Sequence, residues 1–221
     1  MNDYLVMKLQ GPMQAWGAHT YEDYRPSNSF PTRSAIIGLI GACMGIDRAD
    51  QKNQQALSAS VVVAVRQDDL SQQKNAYPVS RLSDFHTVEK ARKADGKENK
   101  NPVVTRREYL CDVSFTIALS IASDTANFSL KQIEESINKP IFTPFLGRRS
   151  CPLTRPLFEA CVQASSFADV FLQVAPNKGL FYSDIDEGAE GQLRLRDISL
   201  NQNRQFGTRA VFIHFGSAYV S

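Results

Sequence analysis

The side chains of this sequence best placed to do chemistry are arginines set beside glycine and proline, and aromatics interleaved with cations. The chemistry they suit is the capture of phosphates and the stacking of bases. Phe145-Leu146-Gly147-Arg148-Arg149-Ser150-Cys151-Pro152 brackets two adjacent arginines between a glycine and a proline. That composition favours a shaped anion-binding turn over a plain surface salt-bridge cluster. Arg25 and the run Phe30-Pro31-Thr32-Arg33-Ser34 lead into a helix start. Free N–H groups there would hold phosphate, with Arg33 and Ser34 as added donors, or the run would serve only as a helix cap. Gly11-Pro12-Met13-Gln14-Ala15-Trp16-Gly17 carries the sole tryptophan. Two readings stand for Trp16: a plug in the core, or a flat surface that, with the Gln14 amide, is offered to a base.

Residues 74–109 form the fourth candidate. Nine Lys and Arg (Lys74, Arg81, Lys90, Arg92, Lys93, Lys97, Lys100, Arg106 and Arg107) face five acids, a local charge of +4. The whole chain of 221 residues sums to only +2, so everything outside this segment sums to −2. A uniformly basic nucleic-acid coat is thereby disfavoured, while a local grip is not. Tyr77, Phe85, His86 and Tyr109 supply aromatic and imidazole rings among these cations, as a single-strand clamp requires. Aliphatic residues are scarce, so the segment is expected to be a mobile basic insertion without a core of its own.

Enzyme signatures are weak. No phosphate-binding G-x-x-x-x-G-K-[ST], zinc-protease H-E-x-x-H or nucleophile-elbow G-x-S-x-G occurs. His214 lies in an apolar run and reads as structural, whereas His19 and His86 lie in loop-like stretches with no local partner. Asp184, Asp186 and Glu187 cluster without the spacing of a calcium loop. The four cysteines contain no C-x-x-C pair, so neither a zinc site nor a redox motif is expected. No metal or cofactor is called for.

The elements that must position these residues follow from periodicity. Tyr4–Leu9 reads as a strand stopped by Gly11-Pro12, and residues 10–32 as a loop. A helix follows from a Thr32 or Ser34 cap, with Gly38, Gly41 and Gly45 suggesting close packing against a sheet or a ligand. A short helix over 47–58 precedes a strand at Val61–Val65. Asp112–Ile121 alternates apolar and polar residues as a half-buried strand does. Ser129 and Gln132 form a capping box ahead of another helix, and Ile141–Phe145 reads as the strand after it. The order is strand, helix, strand, insertion, strand, helix, strand: a split β-α-β, ferredoxin-like plan. Further strands are expected at 157–162, 179–182, 192–196 and 210–215, with a helix at 166–174. The N-terminus carries no signal peptide, and no apolar run approaches the roughly 20 residues of a membrane span. A cytoplasmic protein with reduced thiols and no membrane contact is expected.

Together, Leu9–Gly17, Phe30–Ser34, Gly38–Cys43, Arg107–Asp112 and Leu146–Leu153 resemble the fifth CRISPR-associated family, within the repeat-associated RAMP superfamily, in the form found in subtype I-E surveillance complexes (Cascade). The resemblance runs over about residues 4–163. It implies an α+β fold: a ferredoxin-like (RRM-like) palm over 1–75 and 112–221 with a mainly β C-terminal part, and an inserted basic thumb over 76–111. It implies a non-catalytic subunit that binds and caps the repeat-derived 5′ handle of the CRISPR RNA. Its neighbours would be a backbone subunit (CasC type) and a large subunit (CasA type), with target DNA met only inside the complex. The rival is a metal-independent endoribonuclease that processes precursor RNA with His86 or His19 as base. The expected RNA contacts are Gln14, Trp16, Arg25, Arg33, Ser34, Arg81, His86, Arg106, Arg107, Tyr109, Arg148 and Arg149.

Overall fold

The computed structural model describes residues 1–69, 80–93, 95–200 and 205–215. The chain runs β1 (Asn2–Gln10), β2 (Met13–Gln14), β3 (Trp16–Gly17), β4 (Tyr24–Arg25), β5 (Ser27–Asn28), α1 (Arg33–Cys43), α2 (Gln51–Ser60) and β6 (Val61–Gln67). There follow β7 (Ser80–Val88), β8 (Val103–Cys111), β9 (Ser114–Ile121), α3 (Leu130–Asn138), β10 (Phe158–Ala164), α4 (Phe167–Gln173), β11 (Phe181–Ser183), β12 (Gly191–Ser199) and β13 (Phe206–His214). It is a mixed α+β chain built on antiparallel sheets. The largest sheet has seven strands in the order β10-β1-β9-β6-β11-β13-β12, every neighbour antiparallel. Among the described residues no helix is long and apolar enough to cross a membrane.

Both faces of this sheet are covered. Leu5, Met7 and Leu9 of β1 join Phe115, Ile117 and Leu119 of β9 in one core with Ile36 and Ile40 of α1 and Ile133 of α3. Tyr4, Val6, Ala64 and Ala118 face the other way, against Phe167, Val170 and Phe171 of α4. The expectation that β9 is half-buried is therefore corrected, because Ser114 and Thr116 on its polar face are buried too. They are satisfied by Asp68, whose carboxylate also takes Lys8 Nζ at 2.7 Å and Arg66 Nε at 2.8 Å. Arg66 further donates to the Phe171 and Val174 carbonyls, which closes the C-terminal end of α4. Two cations against one anion can stay buried because Lys8 also donates to the Ala175 carbonyl and Arg66 to the Phe171, Val174 and Ala175 carbonyls.

The apolar segment Ile141–Phe145 is not a strand. Ile141 N donates to Cys43 O and Phe142 N to Ala42 O, which also accepts from Gly45 N, so the segment docks on the carbonyls at the end of α1. Two neighbouring carbonyls of a helix end compete here with sheet pairing and win. The strand that follows α3 is β10, paired to β1. Of the three glycines, Gly41 lies in α1 where an added Cβ would stand 3.7 Å from a Leu57 side-chain atom of α2, and Gly45, two residues past the end of α1, turns the chain at φ 74°. Gly38 meets nothing: a Cβ built there has no neighbour within 4 Å. Thr32 is the α1 cap.

The described part of the basic insertion is ordered as a hairpin, β7 paired with β8 over nine residue pairs. Its strand β7 is almost wholly exposed, in keeping with a segment that buries no core of its own. Lys74 and Tyr77 lie outside the described residues.

Candidate nucleic-acid interface

Strand β8 is the axis on which the cationic side chains assemble. One edge pairs along β7; the other pairs with β2 at Met13↔Cys111 and Gln14↔Leu110, and in parallel with β4 at Tyr24↔Arg106 and Arg25↔Arg107. Directly opposed residues share a face of a pleated sheet. Arg25 and Arg107 therefore stand side by side, with Tyr109 and His86 on the same face, while Arg106 and Phe85 stand on the other. Among described groups Arg107 donates only to Thr105 Oγ1 (3.1 Å), and Arg25 only to the Glu22 and Tyr24 carbonyls. Neither forms an ion pair with a described carboxylate, although Asp84, held by His86, stands directly opposite Arg107 in the hairpin. The Arg106 guanidinium lies 5.8 Å from the Phe85 ring centroid, and that ring is 69% exposed. His86 Nε2 sits 2.8 Å from Asp84 Oδ2 and 3.3 Å from the Tyr109 hydroxyl.

Two of the expected RNA contacts spend their guanidinium groups on the protein's own acceptors, although Arg81 stays 42% exposed. Arg148 donates through Nη1 to Glu108 O and through Nη2 to Arg25 O, each at 3.0 Å, with its guanidinium 4.7 Å from the centre of the buried Tyr109 ring. Arg81 donates to Ser27 O, Ser29 Oγ and the Glu108 carboxylate. Glu108 also accepts from Ser27 N and the Tyr24 hydroxyl. Burial pushes its carboxyl up, but the Ser27 N–H, the Tyr24 hydroxyl and Arg81 outweigh it and hold the group below its usual range. Arg149, the next residue, is exposed and bonds to no described group. Gly147 is what brings this turn in: its φ is 86° and a Cβ there would stand 1.8 Å from Ala15 O, an approach only glycine permits.

Four further expectations are corrected by burial, the first being Tyr109, 2% exposed beneath the Arg148 guanidinium and so closed to a base. Trp16 is 1% exposed and packs edge-on to Phe115 in the core, so it offers no surface to a base. Gln14 is fully buried, its Nε2 donating to the Leu9 and Val113 carbonyls. Arg33 is spent within the protein: Nη2 donates to Ser58 O and Val61 O, and Nη1 pairs with Asp184. Burial and the nearby Arg209 charge push its guanidinium down to about 10. The anion at the start of α1 is the protein's own, since Arg33 N donates to Asp197 Oδ2 at 2.7 Å. Ser34 alone of this group keeps an open setting, half-buried with its Oγ 3.3 Å from Thr32 Oγ1.

Ser34 lines a groove of about 1500 Å³ between α1, α2, β12 and the loops at 15–20 and 143–147. Gly38, His19, Arg48, Arg196 and Gly147 also line it. Sequence reading missed Arg48 and Arg196. The alternation Gln192, Arg194, Arg196 against Leu193 and Leu195 marked Arg196 as outward-facing, but no local pattern could place it opposite α1.

The family model described as CRISPR-associated protein (Cas_Cas5) matches residues 4–212. The chain is 43% identical over 224 residues to the "CRISPR system Cascade subunit CasD" of Escherichia coli (strain K12), covering all of both chains. Among solved structures it is similar to a chain of a "CRISPR RNA-guided surveillance complex" with TM-score 0.71 and 24% identity, over 99% of this chain and 93% of that one. It is also similar to one described as "Crystal structure of Cas protein", with TM-score 0.66 and 23% identity, over 96% and 94% of the two chains.

Proposed function

The chain belongs to the CRISPR-associated Cas5 family, and on that premise we propose that it is the RNA-binding subunit of a Cascade-type surveillance complex that binds and caps the repeat-derived 5′ handle of the CRISPR RNA. The observation that carries this reading is the 43% identity over the whole of both chains to a Cascade subunit. The ferredoxin-like palm is supported by the strand order β10-β1-β9-β6 with α1 and α3 packed in one core on the same side. The β7–β8 hairpin is the thumb, within residues 76–111. Residues 1–75 and 112–221 make the palm and its β extension. RNA phosphates lie along Arg25, Arg107 and Arg149. Arg81, Arg148 and Tyr109 hold that surface in shape.

The subunit works in the cytoplasm without cleaving RNA, beside a backbone subunit of the CasC type and a large subunit of the CasA type, and meets target DNA only within the complex. His86 serves the hairpin through Asp84 and Tyr109 rather than as a base. The test is to incubate the purified protein with labelled repeat RNA in EDTA, and to measure binding of the handle against a scrambled strand. Intact RNA and preferential handle binding are expected. Cleavage that His86→Ala abolishes would establish the endonuclease instead, and equal binding of both strands would remove the handle.

A further inference from the structure

We propose that His86 is a positioning residue for the arginine face of the hairpin: it holds the Asp84 carboxylate off Arg107 and so keeps that guanidinium open to a phosphate. The proposal rests on the RNA-binding reading above and adds to it the group that keeps Arg107 free. The register of the hairpin creates the need. Asp84 and Arg107 are direct partners across β7 and β8. Directly opposed residues of an antiparallel pair carry Cβ atoms about 4.5–5.5 Å apart, within reach of an aspartate and an arginine, and opposite charges there attract. Arg25 stands beside Arg107 on its other flank, through β4. Two like charges side by side repel, which strengthens the pull of both on any anion in reach, Asp84 included. Left to itself the Asp84–Arg107 pair would close, and an arriving phosphate would have to displace a carboxylate.

The pair is not closed. Arg107 spends its Nε on Thr105 Oγ1 at 3.1 Å, two residues along its own strand, and forms no ion pair among the described residues. Asp84 has turned the other way, along β7. Its Oδ2 lies 2.8 Å from His86 Nε2, and residues two apart on a strand share a face. An imidazole nitrogen that close to a carboxylate oxygen carries a proton and donates it. The ring is steered from a second side, because the Tyr109 hydroxyl lies 3.3 Å from the same nitrogen. Tyr109 is buried beneath the Arg148 guanidinium, so its hydroxyl is a fixed point. Thr105, the cross-strand partner of His86, ties the two sides together: its Oγ1 accepts from Arg107 Nε and donates to His86 O at 3.4 Å. The buried hydroxyl sets where the imidazole stands, and the imidazole sets where the carboxylate stands. Asp84 is an anion of the protein's own at the same register as Arg107, and the side chain that wins it decides whether a phosphate finds Arg107 open.

The experiment measures binding of labelled handle RNA across a salt series for the unaltered chain, Arg107→Gln, His86→Ala, Asp84→Asn, and His86→Ala combined with Asp84→Asn. Arg107→Gln sets the scale: the slope of log K against log salt should fall by about 0.7, one phosphate contact on a single strand. His86→Ala releases Asp84 to Arg107 and should show the same loss of slope, with Kd raised about tenfold. Asp84→Asn alone should keep the full slope and bind at least as tightly as the unaltered chain. The combined variant decides the matter. With the carboxylate gone, slope and Kd should return from the His86→Ala values to those of Asp84→Asn. A histidine that only supports the hairpin, or that touches the RNA itself, is not rescued by a change at Asp84, and a folding defect in His86→Ala would carry over into the combined variant and leave its binding low. An unchanged slope in His86→Ala overturns the proposal, and so does a lost slope that Asp84→Asn fails to restore. If Arg107→Gln keeps the parental slope, or the unaltered chain shows no preference for the handle over a scrambled strand, the RNA-binding reading itself fails and takes the proposal with it. That failure is read in different proteins from the first two.

Discussion

Arg148 and Arg149 are neighbours of identical chemistry, and the structure gives them opposite work, which makes them the sharpest test of the interface. Arg148→Ala removes two hydrogen bonds from a cation to carbonyls, Glu108 O and Arg25 O, and a guanidinium stacked 4.7 Å from the Tyr109 ring centre. At about 1 kcal/mol for each half-exposed bond and about 0.5–1 for the stacking, the loss should be about 2.5–3 kcal/mol. In a chain of this size each kcal/mol shifts the melting temperature by about 2–4 °C, so a fall of about 5–12 °C is expected. Arg149→Ala removes no bond to a described group. Its stability should stay within about ±0.5 kcal/mol of the original, a shift in melting temperature of about 2 °C at most. Its RNA affinity should fall about tenfold, with a salt slope lower by about 0.7. Thermal melts and a filter-binding salt series on the same preparations decide the matter. The reasoning is refuted if Arg149→Ala melts early, if its salt slope is unchanged, or if Arg148→Ala melts with the parent.

Two further outcomes follow from the same turn and hairpin. Gly147→Ala should be far more damaging than any arginine change, because its Cβ would stand 1.8 Å from Ala15 O in a left-handed backbone; limited proteolysis should show the 146–152 turn released and RNA binding lost with it. Acid should loosen the hairpin base: Glu108 is held below its usual range by the Ser27 N–H, the Tyr24 hydroxyl and Arg81. A carboxyl depressed in the fold stabilises fully above its unfolded pKa of about 4.3 and loses that contribution as pH falls through the folded value. Melting temperatures taken from pH 6 down to pH 3.5 should therefore drop more steeply for the parent than for Glu108→Gln, and parallel profiles would remove Glu108 as the anchor.

What the sequence disclosed and what it withheld divide along the distance between partners. Strands and helices whose evidence is local were legible: the alternation of β9, the capping box of Ser129 and Gln132, and a cap of α1 at Thr32 or Ser34, of which the fold uses Thr32. Ile141–Phe145 failed because its apolar run looks like a strand until the open carbonyls at the end of α1 are placed beside it. Ser114 and Thr116 looked solvent-facing because the groups that satisfy them, Asp68 with Lys8 and Arg66, come from other strands, Lys8 and Asp68 lying 60 residues apart. The candidate site shows the same division more severely. Cations could be counted, and their concentration in residues 74–109 was correctly seen. Which of them are free could not be read, because that depends on acceptors far away in the chain: Glu108 O for Arg148 at a separation of 40, Arg25 O at 123, and Asp184 for Arg33 at 151. An arginine's type states that it can hold a phosphate. Only the fold states whether a carbonyl or a carboxylate already occupies it, and for that reason Arg149 and Arg107 remain candidates where Arg33, Arg81 and Arg148 do not.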